Sequence, residues 1–134
     1  MTAAAGKTLS NRNILLVEDE LFIAMAMEEY LLAAGAKSVA CARSLGDAWV
    51  ACEQQTFDVA VLDIRLPDGS PVELAKHLIA CGVALIFHSG HADADLLKEF
   101  PSARFCSKPC APTEILETMT VVLQENRSVG ETLS

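Results

Sequence analysis

Residues 58–69 read D-V-A-V-L-D-I-R-L-P-D-G. The unbroken apolar run from Val59 to Leu62 stops at a carboxylate, Asp63, and shortly afterwards at a Pro-Asp-Gly turn. A short apolar run bounded in this way predicts a strand over Asp58 to Ile64 that is buried on both faces. Turn chemistry explains Asp68-Gly69, but an acid closing an apolar strand asks for another reason.

The same pattern recurs on either side. Asn13 to Val17 (N-I-L-L-V) halts at Glu18-Asp19-Glu20, and Val83 to His88 (V-A-L-I-F-H) halts at Ser89-Gly90. Shorter strands are expected at Ser38 to Ala42 and at Arg104 to Ser107. Between them, Ile23, Met27, Tyr30 and Leu31 recur at helical spacing from Leu21 to Ala34, with Gly35 where a helix-ending glycine belongs. Ser44, with Asp47 three residues on, caps a helix running to about Gln55. Another helix spans Pro71 to Gly82, and a last one Pro112 to Gln124 carries Ile115, Leu116, Met119, Val122 and Leu123 on its apolar side. Asp93 to Phe100 reads either as a short helix or as an irregular loop before Pro101. Strands alternating with helices imply parallel pairing, hence a five-stranded α/β sandwich with helices on both faces.

Composition narrows the function. The 134 residues suit one domain, expected over 12–126 with flexible tails at 1–11 and 127–134, and they are 51% hydrophobic but only 5% aromatic. A net charge of -8 disfavours nucleic acid and anionic lipid as direct partners. No apolar run reaches the length of a membrane span, and Met1 to Asn13 lacks the apolar centre of a secretory signal. Five cysteines, an odd number without C-x-x-C spacing, suit a reducing compartment, so a cytoplasmic location is expected. A metal set from Cys106, Cys110, His88 and His91 is disfavoured because the pairs lie in separate segments.

In open parallel sheets, sites form at the carboxyl ends of the strands. Those ends gather Glu18 and Asp19, then Asp63, then Ser89, then Lys108. Close carboxylates repel unless a cation sits among them, and Mg²⁺ or Mn²⁺ prefers such oxygen donors. With that charge compensated, one carboxylate can act as nucleophile toward phosphorus while Lys108 and the Ser89 hydroxyl hold phosphoryl oxygens. Singly, these residues have plainer readings, such as an acidic helix start at 18–20 or a surface lysine before Pro109. Their joint placement at one sheet edge carries the argument.

At this point the sequence resembles the response regulator receiver family, CheY-like, through I-L-L-V-E-D-E, V-L-D-I-R-L-P-D-G, F-H-S-G-H and C-S-K-P in that order. The resemblance implies strand order 2-1-3-4-5, with Asp63 as phosphoacceptor. It implies metal ligation by Glu18, Asp19, Asp63 and the Arg65 backbone carbonyl, with phosphoryl binding and switching by Ser89, Lys108 and Phe105. Arg65 and His91 fall where receivers tune dephosphorylation, and a metal-free pairing of Arg65 with Glu18 is a further expectation. The span from Ser89 to Lys108 is short, and I-F-H-S-G-H is similar to the F-A-T-G-Y stretch of the FATGUY subgroup, whose fourth helix is reduced. Cys110 departs from the Phe usual there after Lys-Pro.

The expected partners are a histidine kinase or histidine phosphotransfer protein and a downstream protein target, with the chain a monomer or weak dimer. No output domain is expected, since little follows the last helix, and no catalysis beyond the chain's own phosphorylation and dephosphorylation. A non-phosphorylated pseudo-receiver would lack the acceptor or the lysine, and both are present. An aspartyl phosphatase commonly has a second Asp two residues after its nucleophile, where this chain has Arg65.

Overall fold

The computed structural model describes residues 9–91 and 93–133, with side chains of the last helix described as far as Asn126. The elements run β1 (Asn13–Val17), α1 (Leu21–Ala33), β2 (Ser38–Ala42), α2 (Leu45–Gln54), β3 (Val59–Asp63), α3 (Val72–Ala80), β4 (Ala84–Ser89), α4 (Ala94–Glu99), β5 (Arg104–Ser107) and α5 (Pro112–Leu133). The five strands form one parallel sheet in the order 2-1-3-4-5, as the resemblance implied.

Alternation along each central strand divides the core. Leu15, Val17, Ala60, Leu62, Leu85 and Phe87 face α2, α3 and α4, meeting Ala48, Leu74, Leu78 and Leu96. Their neighbours Ile14, Leu16, Val59, Val61, Ala84 and Ile86 face α1 and α5, meeting Met27, Leu31, Ile115 and Met119. Both faces being covered, β1, β3 and β4 had to read as unbroken apolar runs.

Local signals set the helix limits. The Ser44 hydroxyl accepts the Asp47 N–H at 3.1 Å, as expected at the start of α2. Gly35 and Gly82 adopt positive φ, 106° and 80°, just beyond α1 and α3. The ambiguous segment is helical but short: α4 has six residues, and the Asp93 carboxylate caps it at the Leu96 N–H, 3.0 Å away.

Structured backbone extends into both stretches expected as tails. Residues 1–8 lie outside the described residues, but Leu9 is fully buried beneath the α1 and α5 face and Ser10 bridges Ala36. At the other end α5 continues to Leu133 rather than stopping near Gln124, so residues 127–133 are helical. The apolar periodicity ends at Leu123, yet Glu125 pairs with Arg104 and the Asn126 amide donates to the Gly82 carbonyl at 2.8 Å, holding the next turn. Of the five cysteines only Cys106 is buried.

Candidate functional site

Strand register brings the polar residues together. Val17 pairs with both Ala42 and Leu62, Asp63 pairs with His88, and Ser89 pairs with Ser107, so the residues that follow share one edge. The Lys108 N–H donates to the Ser89 carbonyl at 2.8 Å, extending that ladder to the lysine.

Lys108 is the centre of the arrangement. Its Nζ lies 3.0 Å from Glu18 Oε1, 3.1 Å from Asp63 Oδ2 and 3.4 Å from Glu20 Oε1. The second Asp63 oxygen, Oδ1, accepts the Arg65 backbone N–H at 3.0 Å. Glu18 Oε1 also accepts the Glu20 N–H at 3.2 Å. Glu18, Asp63, His88 and Ser89 are all buried.

Burial pushes the Glu18 carboxyl above its ordinary pKa, and the hydrogen bonds from Lys108 and Glu20 only partly oppose it. The Lys108 pKa is raised as well: burial works against its charge, but hydrogen bonds to Glu18 and Asp63 outweigh that and hold it protonated. Burial, and then the Lys108 charge, lower the His88 pKa and keep its ring neutral. A neutral ring 3.8 Å from Glu18 Oε2 gives little ion pairing, and Glu18 Oε2 and both ring nitrogens have no hydrogen-bond partner among the described residues.

The buried Glu18 Oε2, unpartnered among the described residues, is suited to accept a hydrogen bond or to ligate a cation. Glu18, Asp19 and Glu20 each place a carboxylate oxygen within 4.8 Å of the others. Oxygen donors of this density suit a hard divalent ion that retains some of its waters. No helix among the described residues is long and apolar enough to cross a membrane.

The family model for the response regulator receiver domain matches residues 14–120. The chain belongs to that family. Receiver domains accept a phosphoryl group in two-component signalling and generally bind Mg²⁺, which the donor set here fits. This receiver is similar to a CheY-like receiver domain protein from Methanospirillum hungatei, at 27% identity and TM-score 0.78, covering 89% of this chain and 98% of that one. It is also similar to the transcriptional regulatory protein GltR of Pseudomonas aeruginosa, 29% identical over 122 residues. The match takes in 86% of this chain but 50% of GltR, so the receiver spans about half the length of that relative. The anti-anti-sigma factor PhyR of Bartonella quintana shares the fold at TM-score 0.77 and 22% identity, covering 94% of this chain and 54% of that one.

Most residues singled out in the sequence lie at this edge. Glu18, Asp63 and Lys108 are in direct contact or bridged through the lysine, and Ser89 is buried beside them. Asp19 is half-buried, and its carbonyl accepts Arg43 Nη2 at 3.2 Å. Phe105 is half-buried on β5, against the α2, α3 and α4 face. Arg65 and His91 are exposed, and neither side chain bonds or pairs with another described residue. Arg65 therefore does not pair with Glu18, because Lys108 already occupies that place.

Sequence reading missed three participants. Glu20 shares the lysine, and the E-D-E run was its only signal. His88 enters the sequence reading only through a disfavoured metal set, although a histidine ending an apolar strand is as odd as an aspartate there. Asp68, read only as a turn residue, accepts the Leu45 and Gly46 N–H groups at 2.9 and 3.0 Å and ties the loop after β3 to the start of α2.

Proposed function

We propose that Asp63 takes a phosphoryl group from the phosphohistidine of a histidine kinase or histidine phosphotransfer protein. The observation that carries this is the placement of Asp63: buried at the end of the central strand, one oxygen fixed by the Arg65 N–H and the other held by Lys108. A carboxylate oxygen attacks phosphorus as the phosphorus–nitrogen bond to the donor histidine breaks. Lys108 turns from Asp63 and Glu18 to the incoming phosphoryl oxygens, a short movement that keeps its charge compensated throughout. Mg²⁺ or Mn²⁺ held by Glu18, Asp19, Asp63 and the Arg65 carbonyl would supply charge neutralisation on those oxygens.

The Ser89 hydroxyl accompanies the phosphoryl group, and Phe105, one strand away, turns inward as Ser89 moves. Partner binding changes as a result, and the signal passes to a protein target. Exposed Arg65 and His91 flank the pocket and set the lifetime of the acyl phosphate by covering it or pairing with its oxygens. The six-residue α4 supports a place in the FATGUY subgroup. In this reading the chain catalyses only its own phosphorylation and dephosphorylation, and acts in the cytoplasm.

The donor protein docks on α1. Phe22, 83% exposed, stands with Leu21 and Met25 directly after the Glu18-Asp19-Glu20 run, so an apolar surface borders the acceptor pocket. Incubation with acetyl phosphate and magnesium, followed by intact mass measurement, tests the acceptor. Wild type gains one phosphoryl group and Asp63→Asn gains none; equal gain by the variant overturns the assignment.

A further inference from the structure

The opposite edge of the sheet, at the amino ends of β3 and β4, holds a cluster that the acceptor site does not use. Both α2 and α3 return across the same face of a parallel sheet, so they run in the same direction. The Trp49 ring of α2 lies against the His77 ring of α3, centroids 4.9 Å apart. One helical turn further along each chain come Cys52 and Cys81. Both line one cavity of about 70 Å³, together with His77, Phe57 and Val83.

The two thiols differ in a useful way. Cys81 is exposed, and its Sγ lies 3.7 Å from His77 Nε2. Cys52 is half-buried, and burial, followed by the nearness of Cys81, pushes its thiol pKa up. One thiol is open to solvent with an imidazole within reach, and the other is withdrawn behind it.

We propose that Cys81 and Cys52 form a peroxide-oxidised dithiol, with Cys81 the attacking thiol, His77 its proton acceptor and Cys52 the resolving thiol. His77 takes the Cys81 proton, and the sulfur attacks one oxygen of hydrogen peroxide; the oxygen–oxygen bond breaks, leaving a sulfenic acid and, once the hydroxide is protonated, water. Cys52 sulfur then attacks Cys81 sulfur, the sulfur–oxygen bond breaks, and the departing hydroxide combines with the Cys52 proton as a second water. The two thiols lose two electrons and peroxide gains them. The bridge joins α2 to α3 at the edge away from Asp63, so oxidation marks the protein without consuming its acceptor. Thiol pairs of this kind in reducing compartments are typically transient and redox-sensing.

The test treats the folded full chain with hydrogen peroxide and maps its peptides without reduction. Wild type is expected to lose two hydrogens and show the Cys52 peptide joined to the Cys81 peptide, with dithiothreitol reversing the link. In Cys52→Ser the reaction stops at the Cys81 sulfenic acid, which dimedone traps, and in Cys81→Ser no bridge involving Cys52 forms. His77→Gln slows bridging by about tenfold or more. Unchanged phosphorylation of Asp63 by acetyl phosphate certifies that each variant is folded. Oxidation that falls on Cys41 or Cys110 with no bridge between Cys52 and Cys81 overturns the proposal, and bridging at the wild-type rate in His77→Gln overturns the role given to His77.

Discussion

Lys108 is the counter-ion of three acids, and two of them, Glu18 and Asp63, are buried. Removing it leaves two carboxylates together in a medium that solvates them poorly, so Lys108→Ala is expected to cost about 3 kcal/mol of stability when no divalent ion is present. Urea unfolding in a chelating buffer measures this, and a cost near zero would show that the lysine is not what keeps the acids in place. Asp68 gives a pH-dependent counterpart. Backbone hydrogen bonds from Leu45 and Gly46 lower its pKa below the ordinary value of 3.8. A depressed folded-state pKa stabilises the protein above the unfolded-state value, and that contribution is lost as pH falls through the folded value. Wild type is therefore expected to melt above Asp68→Ala at neutral pH, with the difference shrinking below pH 3.8. A gap in melting temperature that stays constant with pH would remove Asp68 as a charged cap. The placement of Asp63 at the buried end of β3 was legible in sequence because an acid ended an apolar run. The Asp68 role was not, since a Pro-Asp-Gly turn looks the same whether or not its carboxylate reaches a helix distant in the chain.

At the scale of elements, sequence periodicity placed all five strands and four of the five helices to within a few residues, except the far end of α5. The short α4 stayed ambiguous because six residues carry too little periodicity, and what decides it is the Asp93 cap. Helix α1 shows another limit. Ala24, Met27 and Leu31 face the core, while Phe22, Met25 and Leu32 are apolar and exposed, so apolar spacing alone could not tell the inner face from the outer. An exposed apolar surface of this kind suits a face that a partner covers. Phe22→Glu is accordingly expected to slow phosphotransfer from a histidine phosphotransfer protein by about tenfold, the loss of roughly 1.4 kcal/mol of docking. Phosphorylation by acetyl phosphate should proceed as in wild type, because that donor needs no docking surface. Equal slowing with both donors would place the effect in the acceptor pocket instead, and no slowing with the protein donor would remove α1 as the docking face.

For the whole molecule, the net charge of -8 leaves two readings of any stabilisation by divalent ions. A cation can act diffusely by screening a negative surface, or at one place by binding where Glu18, Asp19 and Asp63 were expected to gather. The two differ in which residue abolishes the effect. Site binding stabilises the folded state in proportion to the logarithm of ion concentration over its dissociation constant, about 2.7 kcal/mol at a hundredfold excess. In a chain of this size that raises the melting temperature by roughly 10 °C. Asp19 is half-buried at the rim and makes no side-chain hydrogen bond among the described residues, so Asp19→Asn removes a carboxylate without opening the core. The Mg²⁺-dependent rise is expected in wild type and largely lost in Asp19→Asn, while potassium at equal ionic strength reproduces little of it. An equal rise in wild type and variant would assign the effect to screening. It would also leave the unpartnered Glu18 oxygen to be satisfied by something other than a metal ion.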